Sequence, residues 1–328
     1  WQFWRRLYSF IFLLALPVLL LRLLWRSRRQ PAYRQRIKER LGFVPVQVNP
    51  AIWVHAVSVG EVVAAVPLVQ ALQRRFPDRV VVVTTTTPTG SQQVLRLLGD
   101  TVLHYYLPYD CVDFLRRFTR RLSIKTCVIM ETEIWPNLLY TLDQERVPVF
   151  LVNARLSARS EKGYARLMRA MPPLLSLYRM IMAQSERDAA AFVRLGVSPA
   201  LVRIAGNIKY DLAPCAQQLA RGVSFKQSLG DRVVWVAAST HAGEDELLLA
   251  VHKDLLKNHP RVLLVIVPRH PERFDRVAKL IVQQGLSYQR RSRHSTVLAQ
   301  TQVYLADTMG ELYSFYAASD MVFVGGSW

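Results

Sequence analysis

The sequence predicts an α/β protein of two units, each a parallel sheet flanked by helices, behind an amino-terminal apolar helix that anchors it to a membrane. Three observations carry this. From residue 51 onward, short β-branched runs alternate with amphipathic stretches of roughly ten to fifteen residues, the pattern of repeated βα units. That alternation lapses over 211–230 and restarts at Val233, and 328 residues with 51% hydrophobic content suffice for two cores. Ahead of the first strand, Leu7 to Leu21 contains no ionised side chain.

The apolar run alone makes roughly 22 Å of helix, short for a hydrocarbon layer of about 30 Å. Continuing to Trp25, with Arg22 snorkelling, gives a more adequate span, and Trp1, Trp4 and Trp25 stand like interfacial aromatics. A cleaved signal peptide is the rival reading, but arginines follow the run instead of a small-residue cleavage site. A helix lying in one leaflet remains open beside one that spans. Of the formal charge of +19, about half belongs to residues 1–40, where ten basic side chains meet one acid, Glu39. Basic residues beside an apolar helix favour an anionic membrane and a cytoplasmic folded part. A nucleic-acid partner would call for basic patches interleaved with exposed aromatics, which this distribution does not offer. Cys111, Cys127 and Cys215 are odd in number and widely spaced, so no disulfide framework or zinc knuckle is expected, and packing as small apolar residues is.

Strands are expected at 52–57, 79–84, 126–130, 148–152, 180–183 and 202–205, with helices at 61–75, 89–98, 111–121, 136–146, 164–178 and 185–195. Ser185 with Asp188 reads as a capping box and Gly196 as a helix stop. The second unit is expected to run through a strand at 233–237, a helix near 243–258, a strand at 262–267, a helix near 272–285, a strand near 302–305, a short helix after Gly310 and a strand at 321–324. The expected division is an anchor over 1–30, a first domain over 31–211, a linker over 212–230 and a second domain from 231. A chain that lacks an initial Met and stops at Gly325-Gly326-Ser327-Trp328 reads as cut within that second domain.

Candidate chemistry sits where strands end. Val54-His55-Ala56-Val57-Ser58-Val59-Gly60-Glu61 runs from an apolar strand through a glycine turn to a carboxylate at a helix start, and the crevice beyond strand carboxyl ends is where open α/β sheets bind ligands. Glu61 is the candidate base; the structural alternative is a carboxylate that complements the helix dipole. Met130-Glu131-Thr132-Glu133-Ile134-Trp135-Pro136-Asn137 delivers further acids after another strand, or else solvated caps. Lys209, in Gly206-Asn207-Ile208-Lys209-Tyr210-Asp211, is a cation for a phosphate or for one of the glutamates. In the second unit, Arg269 and His270 of Pro268-Arg269-His270-Pro271 follow a strand, where a guanidinium fork can hold a phosphate. Asp307-Thr308-Met309-Gly310-Glu311 offers free backbone N–H groups at a helix start. Ordinary strand-to-helix connections are the alternative for both.

VHAVSVGE, METEIWPN, NARLSARS, GNIKYD, PRHPERF and DTMGELYSFY, in this order, resemble the 3-deoxy-D-manno-octulosonic acid (Kdo) transferases of lipid A core synthesis. The likeness covers essentially the whole chain. It implies a GT-B glycosyltransferase, with two Rossmann-like domains facing across a cleft, the first for the lipid A precursor and the second for CMP-Kdo. It implies Glu61 as general base, Glu131 and Lys209 as aids to the transition state, and Arg269, His270, Met309, Gly310 and Glu311 as contacts to CMP, with no metal and no cofactor. The family continues with a His-Asn-Pro nucleotide motif, and Trp328 stands where it usually has an aliphatic residue, so an incomplete second domain is implied. Two alternatives stay open: another membrane-associated GT-B transferase using a UDP-sugar, and a catalytically silent fragment.

Overall fold

The computed structural model describes all residues except 29, 168–169, 212–215, 295 and 327–328. The chain divides into two compact units, Trp1–Leu212 and Ala213–Trp328.

In the first unit, helix α1 (Gln2–Ser27) and the short α2 (Ile37–Arg40) precede strand β1 (Ala51–His55). There follow α3 (Val59–Arg75), β2 (Val80–Thr85), α4 (Pro88–Leu98), β3 (Leu103–Tyr106), α5 (Val112–Arg121), β4 (Ile124–Met130), α6 (Pro136–Gln144) and β5 (Val149–Ala154). The unit closes with α7 (Ala158–Ala165), α8 (Met171–Leu175), β6 (Tyr178–Ala183), α9 (Glu186–Arg194) and β7 (Val202–Ile204). The strands form one parallel sheet in the order β3-β2-β1-β4-β5-β6-β7. The order reverses between β1 and β4, and such a switch point opens a crevice because the connections leave on opposite faces.

Both faces of this sheet are covered, so its strands carry apolar side chains on each side. Trp53, Ile129, Leu151 and Ile181 pack with Phe118 of α5 and Leu138 of α6 on one face. Val54, Val83, Val128 and Met130 meet Val62, Ala65 and Val69 of α3 on the other. Trp53 and Phe118 are fully buried with ring centroids 4.9 Å apart, and truncating Phe118 to Ala would cost about 3–5 kcal/mol.

The second unit contains α10 (Ala216–Ser228), β8 (Val234–Thr240), α11 (Glu244–Asn258), β9 (Leu263–Pro268), α12 (Phe274–Gln283), β10 (Tyr288–Arg290), β11 (Val303–Leu305), α13 (Leu312–Ala318) and β12 (Met321–Val324). Its parallel sheet is ordered β10-β11-β9-β8-β12, so the switch point lies between β8 and β12. Apolar clusters cover both faces here too. The molecule is thus α/β with two Rossmann-like sheets.

Several expected elements are corrected. The helix expected at 164–178 is two short helices, α7 and α8, and its last residue, Tyr178, already opens β6. Pro172 and Pro173 sit in the first turn of α8, where a missing backbone N–H costs least, and so favour a new helix start at that point. The segment 211–230, where the alternation lapses, carries helix α10. Gly222 of α10 lies against α13, where a Cβ would meet Ala317 Cβ at 2.6 Å. Strands β3 and β10, both at sheet edges, were not anticipated. Cys127 is buried and Cys111 partly so, as small apolar residues would be; Cys215 lies outside the described residues, as do Ser327 and Trp328.

Helix α1 lies against the first unit along one face. Trp1 stacks edge-on to Tyr140 of α6, the Arg5 guanidinium sits 3.7 Å over the same ring, and Arg5 and Ser9 donate to Asn137 Oδ1 at 3.2 and 2.8 Å. Leu23 and Ser27 are buried at the other end. The opposite face, including Phe3, Phe10, Leu14, Val18, Leu21 and Trp25, is exposed. With 26 residues, α1 is long and apolar enough to cross a membrane, at roughly 39 Å.

Candidate active site

Glu61 enters the first switch point as the third residue of α3. Ser58 caps the helix: its hydroxyl accepts from Glu61 N at 3.4 Å and donates to Glu61 Oε1 at 2.9 Å. The other oxygen, Oε2, accepts from Val57 N at 2.8 Å. This is close to a capping box, with the backbone donor one residue before the cap, and it fixes the carboxylate in one rotamer. Each oxygen keeps a second lone pair for another donor. Burial pushes the Glu61 pKa above its ordinary value; the hydrogen bonds from Val57 and Ser58 oppose this, and the charge of Glu131 adds to it.

Glu131 follows β4, the strand paired with β1, so both acids reach the same rim. Its backbone is left-handed, at φ 57, and its N–H donates to Val152 O at 2.9 Å. A non-glycine residue held there costs of order 1 kcal/mol or more, and such outliers gather at functional sites. Glu133, two residues on, is the less obvious member of the cluster. Its carboxylate accepts from Trp135 Nε1 at 2.8 Å, and its pKa is raised to about 7 by burial first, then by the charges of Glu61 and Glu131. Three carboxylates thus gather on one rim, and their like charges add to the upward shifts of Glu61 and Glu133.

Asp110, in the loop after β3, holds the start of α6 in place by accepting from Asn137 N at 3.1 Å and Leu138 N at 2.8 Å. Burial raises its pKa to about 6. His55, of the first motif, is fully buried beside Thr84 Oγ1 at 2.9 Å, with burial lowering its pKa to about 4, so it is a neutral core histidine. Asn153, left-handed at φ 56 at the end of β5, accepts from Ile208 N at 3.2 Å and thereby ties down the segment bearing Lys209. Lys209 itself is exposed and makes no ion pair among the described residues.

In the second unit, Arg269 and His270 follow β9 and both are exposed; the His270 ring stands edge-on to His241 at 5.8 Å. Arg273 of the same motif has another task, pairing with the buried Asp245 and donating to Thr240 O at 2.6 Å. Met309 and Gly310 are exposed in the turn before α13, Gly310 at φ 85. Glu311 accepts from Arg291 through two nitrogens, at 3.2 and 2.9 Å, and from the Thr308 hydroxyl. Burial pushes its pKa up, but these hydrogen bonds outweigh it and hold the carboxyl below its ordinary value.

One residue at the second switch point escapes the sequence reading. Glu244, at the start of α11, accepts from His241 N at 2.7 Å and from Gly326 N, beyond β12, at 2.8 Å. The signal was present, since His241-Ala242-Gly243-Glu244 after β8 echoes Ser58-Val59-Gly60-Glu61 after β1. Among the described residues no group of three or more His, Cys, Asp or Glu side chains is disposed to hold a metal ion.

Comparison with known proteins meets this geometry. Residues 35–212 match the family model of the 3-deoxy-D-manno-octulosonic-acid transferases (kdotransferase). A 3-deoxy-D-manno-octulosonic acid transferase of Haemophilus influenzae is 43% identical over 99% of this chain and 77% of its own length. A probable mitochondrial enzyme of the same designation from Arabidopsis thaliana is 32% identical over 98% of this chain and 74% of its own. Among solved structures, UDP-GlcNAc 2-epimerase from Neisseria meningitidis superposes with a TM-score of 0.54 at 15% identity, covering 84% of this chain and 77% of that one, which bears on the fold alone. On the family model and on these two relatives together, the chain belongs to the 3-deoxy-D-manno-octulosonic acid transferase family of glycosyltransferases.

Proposed function

We propose that the protein moves Kdo from CMP-Kdo to a lipid A precursor in lipopolysaccharide inner-core synthesis, as an inverting, metal-independent glycosyltransferase at the cytoplasmic face of a bacterial inner membrane. The observation that carries the reading is the Glu61 carboxylate, fixed at the switch point of the first sheet with its pKa raised by burial. Glu61 takes the proton of an acceptor sugar hydroxyl as that oxygen bonds to the anomeric carbon of Kdo. The bond from that carbon to the CMP phosphate oxygen breaks, and CMP leaves with the electron pair. A single displacement inverts the centre.

A raised pKa suits the role, because a stronger base accepts the proton more readily. Glu131 contributes by raising Glu61. Lys209 and Arg269 offset the charge of donor or leaving phosphate, and Arg269, His270, Met309, Gly310 and Glu311 contact CMP; the exposure of Arg269, His270, Met309 and Gly310 leaves them open to a ligand. Helix α1, docked along one face with an apolar stripe on the other, suits a chain that lies on the membrane where its acceptor resides.

Mass spectrometry of lipid A precursor incubated with CMP-Kdo and the protein tests the whole reading. The expected result is product heavier by one or more Kdo residues. No mass gain with CMP-Kdo, or protection of the protein from heat by UDP and not by CMP, would refute it.

A further inference from the structure

Between α1 and the carboxyl rim of the first sheet lies a cavity of about 530 Å³ walled by Phe12, Leu23, Trp135, Arg22, Arg26 and Arg40, among others. Arg40 is the telling residue. It is only 5% exposed, yet it forms no ion pair among the described residues. One nitrogen donates to Thr86 O at 2.9 Å, the guanidinium sits 4.2 Å from the Tyr106 ring, and Nε has no partner. A buried guanidinium without a counter-ion is costly, several kcal/mol in general terms.

The nearby carboxylates are already engaged. Glu39 takes Arg36 at 2.7 Å and Tyr106 N at 2.9 Å. Asp110, on the cavity wall, caps α6, and Glu133, also on the wall, accepts from Trp135. Arg22 and Arg26 come from α1, and Arg26 is steadied over Tyr33 at 5.4 Å. The cavity therefore combines three guanidinium groups with apolar walls, beside the turn that carries Glu61, since Val57 also lines it.

We propose that this cavity holds a phosphate group of the membrane-resident acylated acceptor, with Arg40 as its buried contact and Arg22 and Arg26 of α1 closing over it. Arginine suits the task because its planar fork matches phosphate oxygens. The volume admits a phosphorylated sugar ring or a phosphate with the first part of an acyl chain, and not a whole acylated disaccharide. The anchoring helix is then part of the acceptor site as well as a tether. This inference rests on the function proposed above and adds which chemical group of the acceptor is recognised, and by which residues.

The test compares a phosphorylated lipid A precursor with the same lipid after enzymatic dephosphorylation, both in detergent micelles. The wild-type protein is expected to favour the phosphorylated acceptor by about tenfold or more in kcat/KM. Arg22→Gln with Arg26→Gln, at exposed positions that leave the fold intact, should shrink that preference to about twofold, by a rise in acceptor KM with the CMP-Kdo KM unmoved. Arg40→Lys should do the same while keeping the buried charge. Equal use of both lipids by the wild type, or an undiminished preference in the double variant, overturns the proposal. Calorimetric titration with the same micelles reads it without turnover: if no transfer occurs, tighter binding of the phosphorylated lipid that the double variant loses upholds the site while the proposed reaction falls. An equal loss of binding to phosphatidylglycerol vesicles without acceptor would make these arginines bilayer contacts and overturn it.

Discussion

The two switch points use one turn for different ends. After β1 and after β8 the chain passes through a glycine into a glutamate at a helix start, and Glu61 and Glu244 are equally exposed, at 7%. Their pKa values nevertheless move in opposite directions. Glu244 is lowered by the N–H groups of Gly326 and His241, with the positive fields of His241 and Arg273 adding to it. Glu61 is raised by burial and by Glu131 in spite of its own two hydrogen bonds. For Glu61 burial is the leading cause and for Glu244 the donated N–H groups are; beyond that, β12 brings a glycine backbone that donates, and β4 brings another acid. A carboxylate pinned by donors and cations is a structural tie, whereas one crowded by a like charge is suited to take a proton.

The largest effect expected from this contrast is on turnover. Glu61→Gln keeps the shape and removes the base, so kcat should fall by about 10³-fold or more, roughly 4 kcal/mol of barrier. CMP-Kdo binding, measured by calorimetry, should stay within about threefold, because the donor contacts are assigned to the other unit. Near-normal turnover would return Glu61 to the role of a capping box and erase the functional difference between the two glutamates.

Next comes the tie itself. A Cβ on Gly325 would lie 2.5 Å from Glu244 Oε2 and 2.8 Å from Ser239 O, so Gly325→Ala must push β12 away from β8 or break the Glu244 contacts. A loss of about 2–3 kcal/mol is expected, within the range for overpacking a filled site, and denaturant unfolding followed through Trp235 would read it. An unchanged midpoint would mean that Glu244 does not bind the strand ends together.

How much of this was legible depends on where the partners come from. Glu61, Ser58 and Val57 are local, so a strand, a glycine turn and an acid in sequence sufficed to place Glu61 at a strand end and helix start. Glu244 depends on Gly326, eighty-two residues later, and nothing near it in the chain announces that partner. The misread helix at 164–178 had an apolar pattern that Pro172 and Pro173 interrupt. Strand β3, Leu-His-Tyr-Tyr at a half-buried edge, lacks the β-branched run that marked the central strands. Arg40 counts in the sequence only as one of the basic residues favouring an anionic membrane, and only the fold shows it buried.

The acid cluster also predicts a pH dependence of stability. Glu133 has a folded pKa of about 7 against an ordinary 4.5. A raised carboxylate contributes stability that is fully present below the unfolded value and is lost as pH rises through the folded one. Ionising Glu133 therefore weakens the fold between about pH 4.5 and 7. After allowance for its partial exposure, Glu133→Gln should gain about 2 kcal/mol on the wild type at pH 8 compared with pH 4. Parallel unfolding curves at all pH values would show that neither burial nor the neighbouring acids raise Glu133 in the fold.

The smallest effect separates the turns most finely. Gly60 stands in the first turn of α3, and a Cβ there would find only Ser58 Oγ, at 4.0 Å. Its φ is not among the left-handed glycines, so no strain forbids a side chain. Gly60→Ala should thus stabilise the protein, by up to about 1 kcal/mol for a helical position, where Gly325→Ala destabilises it. Turnover should stay within about threefold, since the added methyl leaves the Ser58 and Val57 hydrogen bonds to Glu61 untouched. A variant that melts higher and yet transfers tenfold less Kdo would mean that the space over Gly60 belongs to the substrate, and the glycine would then be there for close approach and not for the turn.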